Sequence, residues 1–341
     1  MKRKVKSFDD WLLVPQYSDI KSRKEIDISS NLSSKIELNI PIISSPMSTV
    51  TEATMCNSIR KLGGLGIIHR YNSINFQTKL LSYVNEEKYK SAAIGVTGDY
   101  KERLTSLVEA GLEIVCIDIA HGDHVLMKDC IRHVRENFKN LYIIAGNVST
   151  GEGFKRISEW GANAVRVSVG SGSICTTRIQ TGHGIPTIEA VFECKNFKDK
   201  YGLDSKIIAD GGIKNSGDIV KSLAAGADFV MLGSMLSGTK ETPGKLMYSE
   251  EGKKYKSYNG MASKIAQKNW KGSYSSVEGV SSTVPYKGTL SKVINEISSN
   301  IRSGLSYSGC RSIQELQENA LFVEQTSFSH VESKPHIYNR K

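Results

Sequence analysis

Eight short apolar runs recur along this chain, each ending in small or polar residues, and the stretches between them carry apolar and charged residues at helical spacing. The runs cover residues 40–44, 64–68, 92–96, 114–117, 142–145, 164–167, 206–209 and 229–232, and the clearest intervening helices are expected over 51–62, 100–109, 125–137 and 216–225. Strand and helix alternating eight times predict an α/β fold, a parallel (β/α)8 TIM barrel. Three near-repeats fix that register: Glu109-Ala-Gly-Leu-Glu-Ile-Val115, Trp160-Gly-Ala-Asn-Ala-Val165 and Ala224-Ala-Gly-Ala-Asp-Phe-Val230. Each puts a glycine where a helix stops and the next strand begins.

The 341 residues, 39% of them hydrophobic, suffice for one such barrel, so a single catalytic domain over 1–341 is expected. Between residues 243 and 301 the pattern turns irregular and rich in Lys, Ser and Tyr, which predicts a flap or lid over 245–300, after the eighth strand. No apolar run reaches the roughly 18 residues of a membrane span. The start, Met1-Lys-Arg-Lys-Val-Lys6, leads into polar Ser7 rather than a signal-peptide core, so a cytoplasmic location without membrane association is expected. The net charge is +10, yet the lysines are scattered, which favours an anionic small molecule over nucleic acid as partner. The six cysteines form no CxxC pair and no zinc-like Cys/His spacing, so they are expected to be reduced thiols, mostly small buried hydrophobes.

One thiol has a different context. Gly170-Ser-Gly-Ser-Ile-Cys-Thr-Thr-Arg178 sets Cys175 in a glycine-loosened loop directly after a strand, where a substrate can approach the backbone. In a (β/α)8 barrel the active site lies at the C-terminal ends of the strands. The register then brings Ser45, Met47, His69, Arg70, Asp118, Asn147, the 170–177 loop, Asp210 with Gly211 and Gly212, and Gly233 with Ser234 to one mouth. Asp210 can accept hydrogen bonds from a ribose diol, and Gly212, Gly233 and Ser234 offer backbone N–H groups and a hydroxyl to a phosphate. His69, His121 and His183 are expected to be structural or surface histidines, and Glu278 a solvated carboxylate unless it shares the site.

The segments Ser173-Ile-Cys-Thr-Thr-Arg178, Ala209-Asp-Gly-Gly-Ile-Lys-Asn-Ser-Gly-Asp218 and Met231-Leu-Gly-Ser-Met-Leu-Ser-Gly-Thr-Lys-Glu-Thr-Pro-Gly244 closely resemble the IMP dehydrogenase and GMP reductase family. Phe8-Asp-Asp10, Ser45-Pro-Met47, Ala145-Gly-Asn-Val148 and Val284-Pro-Tyr-Lys-Gly288 fit the same pattern, so the resemblance spans nearly the whole chain. It implies that Cys175 attacks C2 of a purine nucleotide, with Thr177 and Glu278 as its catalytic partners. It places Asp210 at the ribose, Ser173, Gly212, Gly233, Ser234 and Tyr258 at the phosphate, and Met261 and Ala262 at the base, with Ser45, Met47 and Asn147 completing the nucleotide site. Asp118, Ala120 and Arg70 would contact the nicotinamide cofactor, and the carbonyls of Gly170, Gly172 and Cys175 would bind a monovalent cation, potassium. By analogy the partner state is a homotetramer.

The resemblance also bears on the branch. Dehydrogenases of the family usually carry CBS modules between the second and third strands, and no such insertion is expected here. They also present an Arg-Tyr pair in the flap, whereas 261–278 contains no arginine. Ile117-Asp-Ile-Ala-His-Gly122 and Gly252-Lys-Lys-Tyr-Lys256 look more like reductase segments, while Glu278-Gly-Val280 and the tail Glu332-Ser-Lys-Pro-His336 look more like dehydrogenase ones. Ser171, where the family usually has proline, and His183 are further departures. The expectation is the reductase branch, with NADPH and a guanine nucleotide. The alternative is a dehydrogenase without CBS modules, with NAD and IMP.

Overall fold

The computed structural model describes residues 4–85 and 89–335. Residues 1–3, residues 86–88 in the connection between the second and third barrel strands, and His336 of the tail segment lie outside the described residues. Eight parallel strands form the expected barrel: β1 (Ile42–Ser44), β2 (Leu65–Gly66), β3 (Ser91–Ile94), β4 (Ile114–Asp118), β5 (Tyr142–Val148), β6 (Ala164–Val167), β7 (Lys206–Asp210) and β8 (Phe229–Leu232). They pair in sequence order, β8 returns to β1, and a parallel bridge from Ile68 to Ala92 joins β2 to β3. Each predicted apolar run holds one strand. The runs at 164–167 and 229–232 match their strands at both ends, and the other six differ at one or both ends by one to three residues, because a run of apolar side chains marks burial rather than the ladder of hydrogen bonds.

Side chains alternate along each strand, so one set fills the barrel and the other packs under the helices. Ile43, Ile144, Ala164, Ile208 and Phe229 belong to the interior cluster, whereas Ile42, Ile143, Val165 and Ile207 join the outer one. A hairpin of Ser30–Ser33 and Ile36–Leu38 lends Leu32, Ile36 and Leu38 to the interior cluster and closes the bottom, where the Tyr142 hydroxyl donates to the Leu32 carbonyl at 2.9 Å. The mouth is left to chemistry.

The outer helices include α1 (Ala53–Lys61), α2 (Ile74–Ser82), α3 (Tyr100–Glu109), α4 (Val125–Asn137) and α5 (Gly151–Glu159). A short α6 (Thr177–Thr181) follows the cysteine loop, and α7 (Thr187–Tyr201) and α8 (Ser216–Ala224) cover the later strands. The three repeat glycines stop helices in the left-handed region, with φ of +91° at Gly111, +109° at Gly161 and +110° at Gly226. At Gly226 an added Cβ would also lie 2.5 Å from Lys195 Cγ. Gly226→Ala is therefore expected to cost about 1–2 kcal/mol, the penalty of a left-handed Cβ, and to lower the midpoint of a thermal melt. An unchanged melt would contradict it.

Only α2 and a short connection separate β2 from β3, so no inserted module interrupts the described barrel. After β8 the chain continues into a segment much of which is regular. Strands β9 (Met247–Tyr248), β10 (Lys254–Asn259) and β11 (Ser281–Pro285) form an antiparallel sheet, with helix α9 (Lys264–Lys271) between the last two. From residue 290 the segment expected to be irregular is instead α10 (Leu290–Tyr307), whose Leu290, Ile294, Ile297, Ile301 and Leu305 are buried and which packs on α8. That spacing of four, three, four and four is a helical stripe, masked in the sequence by the serines and asparagines of the opposite face.

Candidate active site

A cavity of about 300 Å³ opens at the C-terminal ends of the strands, lined by the cysteine loop on one side and the flap on the other. Flap and loop are joined by backbone: Thr176 N–H donates to the Glu278 carbonyl at 2.9 Å and Val280 N–H to the Ile174 carbonyl at 2.9 Å. This pairing carries Glu278 to the loop. Thr177 Oγ1 donates to Glu278 Oε2 at 2.7 Å, and Cys175 Sγ lies 3.2 Å from Thr177 Oγ1. The threonine has one hydroxyl proton and gives it to the carboxylate, so the thiol must be the donor in the second bond. The result is a proton path from sulfur through oxygen to carboxylate.

Arg178 staples the loop that presents the thiol. Its guanidinium donates to the carbonyls of Val169 at 3.3 Å and Ile185 at 2.6 Å and to the Ser171 hydroxyl at 2.5 Å. Ser171, expected from the resemblance to be a departure, thus contributes a hydrogen bond to the loop. The Gly172 carbonyl accepts the Cys175 N–H at 3.0 Å, which closes a tight turn over 172–175, and Gly170 before it has φ +74°. The other five cysteines are buried, and burial pushes the thiols of Cys116 and Cys130 up to about 12. Cys175 alone among the six is partly open.

A buried arginine was hidden in an apolar run. Arg166, in β6, is 6% exposed and bridges two carboxylates: Nη1 donates to Asp118 Oδ1 at 2.5 Å and Nη2 to Asp210 Oδ2 at 2.8 Å. Alternation from Ala164 points it inward at the top layer of the barrel, where Gly146 makes room; a Cβ at Gly146 would sit 2.6 Å from Arg166 Cβ. A charged residue at an inward position near a strand's C-terminal end was the signal available in the sequence. Burial opposes charge on Asp118, but Arg166 and Arg70, the latter at 3.3 Å, outweigh it and hold its carboxyl below the usual range. Asn147 Nδ2 also donates to Asp210 Oδ2, at 2.7 Å, so three donors converge on that one oxygen.

The same cavity is lined by Ser45, Met47, Ala120, Tyr258, Met261 and Ala262. Ser173 and Gly233 adjoin it through Tyr258, whose hydroxyl lies 3.5 Å from Ser173 Oγ and 3.0 Å from where a Cβ of Gly233 would be. Gly212, φ +76°, packs beneath Ser171. Ser234 lines a wider outer groove with Lys214, Met235 and Lys287. The histidines stand apart: His69 is buried beside Glu52 at 3.3 Å, while His121 and His183 are exposed. A second pair missed in the sequence is Tyr71 and Trp270, whose rings stack at 4.3 Å and tie α9 to the loop after β2, with the Arg70 guanidinium 5.1 Å from the Tyr71 ring. Nothing in their spacing, 199 positions apart, advertises the contact.

Among the described residues no helix is long and apolar enough to cross a membrane. The family model for the IMP dehydrogenase / GMP reductase domain matches residues 5–336. An inosine-5'-monophosphate dehydrogenase from Borreliella burgdorferi is 36% identical over 393 residues, covering 97% of this chain and 96% of the relative. A GMP reductase from Onchocerca volvulus is 35% identical over 333 residues, covering 94% and 90%. The crystal structure of a cysteine-to-alanine variant of GMP reductase from Trypanosoma brucei, in complex with guanosine 5'-monophosphate, superposes with a TM-score of 0.92 at 26% identity and covers 99% of both chains.

Proposed function

Because the chain belongs to the IMP dehydrogenase / GMP reductase family of oxidoreductases, we propose that it is the reductive member of that chemistry, converting GMP and NADPH to IMP, ammonia and NADP. The observation that carries the reading is the thiol, hydroxyl and carboxylate path of Cys175, Thr177 and Glu278, at 3.2 and 2.7 Å, in a lid whose residues 261–278 include no arginine. Such a path can move one proton out and back. The Cys175 proton passes through Thr177 to Glu278 as sulfur forms its bond to C2 of guanine. The same proton then returns to the 2-amino group, which leaves with the C–N bond pair as ammonia, and C2 remains joined to sulfur as a thioimidate.

The cofactor, when bound, supplies the hydride that replaces sulfur at C2. Sulfur departs with the C–S pair as thiolate and regains a proton from water, so one proton is consumed per turnover. Asp118, Arg70 and the small Ala120 line one side of the cavity and offer a carboxylate, a guanidinium and an open face, a donor set suited to a nicotinamide dinucleotide. A lid without a planar guanidinium lacks the group best fitted to orient an attacking water, which protects the thioimidate from hydrolysis. Asp210 would take the ribose diol on Oδ1, with Asn147 and Arg166 fixing the carboxylate. Met261, Ala262, Ser45 and Met47 would enclose the base, and Ser173, Gly212, Gly233, Ser234 and Tyr258 the phosphate. The carbonyls of Gly170, Gly172 and Cys175 are neutral oxygens of the kind potassium accepts.

The second reading is an IMP dehydrogenase, favoured by relatives such as the one from Borreliella burgdorferi. In that reaction Thr177 and Glu278 would activate water against the same thioimidate. Purified protein is incubated with GMP plus NADPH and, separately, with IMP plus NAD, and the reduced cofactor is followed by absorbance. Oxidation in the first mixture alone is expected; NAD reduction in the second would overturn the reductase reading. Glu278→Gln, which keeps the bond to Thr177 but takes no proton, is expected to lower kcat about 10²–10⁴-fold with little change in nucleotide affinity. Undiminished kcat would remove Glu278 from the path.

A further inference from the structure

The groups assigned to the nucleotide phosphate are all neutral: the hydroxyls of Ser173, Ser234 and Tyr258 and backbone N–H groups of Gly212 and Gly233. A dianion in a half-buried site needs opposite charge close by, because an uncompensated buried charge is costly. Two lysines stand behind that loop. Lys256 lies on β10 two residues before Tyr258, so alternation sends both side chains to the buried face. It is 3% exposed. Its ammonium donates to the carbonyl of Thr242, to that of Thr239 at 3.3 Å and to that of Lys240 at 3.4 Å. Burial lowers its proton affinity and Glu241 opposes that fall, but Glu241 itself accepts the Leu290 N–H at 2.8 Å, and the described partners of Lys256 are carbonyls.

Lys287 repeats the arrangement at the other end of the same turn. Its ammonium donates to the Ser234 carbonyl at 2.7 Å and the Met235 carbonyl at 3.0 Å. Between the two, the N–H groups of Leu236 and Ser237 return to the Gly233 carbonyl at 3.2 and 2.9 Å, which makes 233–237 one tight turn. Lys287 thus sets a cation on the carbonyl of Ser234 itself, and Lys256 sets one on the strand that carries Tyr258, so both charges stand beside residues assigned to the phosphate.

We propose that Lys256 and Lys287 are positioning residues of the phosphate subsite, holding the 233–242 turn by its carbonyls and balancing the charge of a nucleotide monophosphate that neither lysine touches. The proposal rests on the nucleotide reading above and names how that site tells a nucleotide from a nucleoside. Lys256→Met, Lys256→Arg and Lys287→Met proteins, checked for folding by circular dichroism, are titrated with GMP, with guanosine and with inorganic phosphate. Each methionine variant is expected to weaken GMP binding about tenfold or more, equivalent to about 1.4 kcal/mol, to weaken phosphate in parallel, and to leave guanosine unchanged, with Lys256→Arg recovering most of the loss. Equal losses for GMP and guanosine, or none for GMP, overturn the proposal. Should Lys256→Met not fold, Lys287→Met, at an exposed side chain, decides by the same comparison. Wild-type protein that binds guanosine as tightly as GMP would instead sink the phosphate assignment itself.

Discussion

Cys175→Ala is expected to abolish turnover, lowering kcat about 10⁴-fold or more, because every bond change at C2 in the proposed reaction passes through its sulfur. No neighbour can replace it. Five other thiols exist, but all are buried, and none lines the cavity that Cys175 shares with Thr177 and Glu278. Nucleotide affinity should change little, since the ribose, phosphate and base contacts come from other residues. Folding should also survive, because the thiol is only partly buried and the loop is held by Arg178 and by backbone bonds to the flap. Steady-state kinetics with equilibrium nucleotide binding check the split between kcat and affinity. Intact-mass analysis of wild-type protein mixed with nucleotide checks the covalent step. A variant retaining more than about 1% of wild-type kcat would exclude sulfur as the nucleophile.

Arg166→Met should show the largest loss of stability, about 3–5 kcal/mol, because it leaves two half-buried carboxylates facing each other without their shared cation. The pH dependence should also reverse sign. In the wild-type protein the Asp118 carboxyl is held below its ordinary value of 3.8, so its contribution is present above that value and is lost only as pH falls through the lower folded one. Without Arg166, the burial that opposes charge on Asp118 loses its chief counterweight, and the folded carboxyl at 118 would bind its proton more tightly than the unfolded one. The contribution of that carboxyl would then be greatest in acid and would fall as pH rises through the raised folded value. Chemical denaturation at mildly acidic and neutral pH measures both effects. Equal stability of the variant at the two pH values would refute the argument. Arg166→Lys should rescue only in part, since one ammonium cannot span both carboxylates as a planar fork does.

Much of the architecture was legible because burial in a barrel follows periods that are local. The runs at 164–167 and 229–232 coincide with β6 and β8, and the helices expected over 100–109 and 125–137 coincide with α3 and α4. The flap was less legible. Its strands are short and half exposed, so Lys254 to Asn259 carries little apolar contrast, and the helical stripe of α10 was obscured by the polar residues between its buried positions. Arg166 was passed over because three apolar neighbours set the reading of its strand, although its inward phase could have been counted. Tyr71 and Trp270 had no such cue.

By itself the sequence determined the eight-unit alternation, the glycines that end its helices, and a thiol in a loosened loop after the sixth strand, since each depends on residues within a few positions of one another. Only the tertiary structure decided which distant groups meet. Closure of the barrel puts Arg166 against Asp118 across 48 positions, and the return of the flap puts Glu278 on Thr177 across 101. Such contacts depend on the summed geometry of strands, turns and sheet pairing, and no local period encodes that sum.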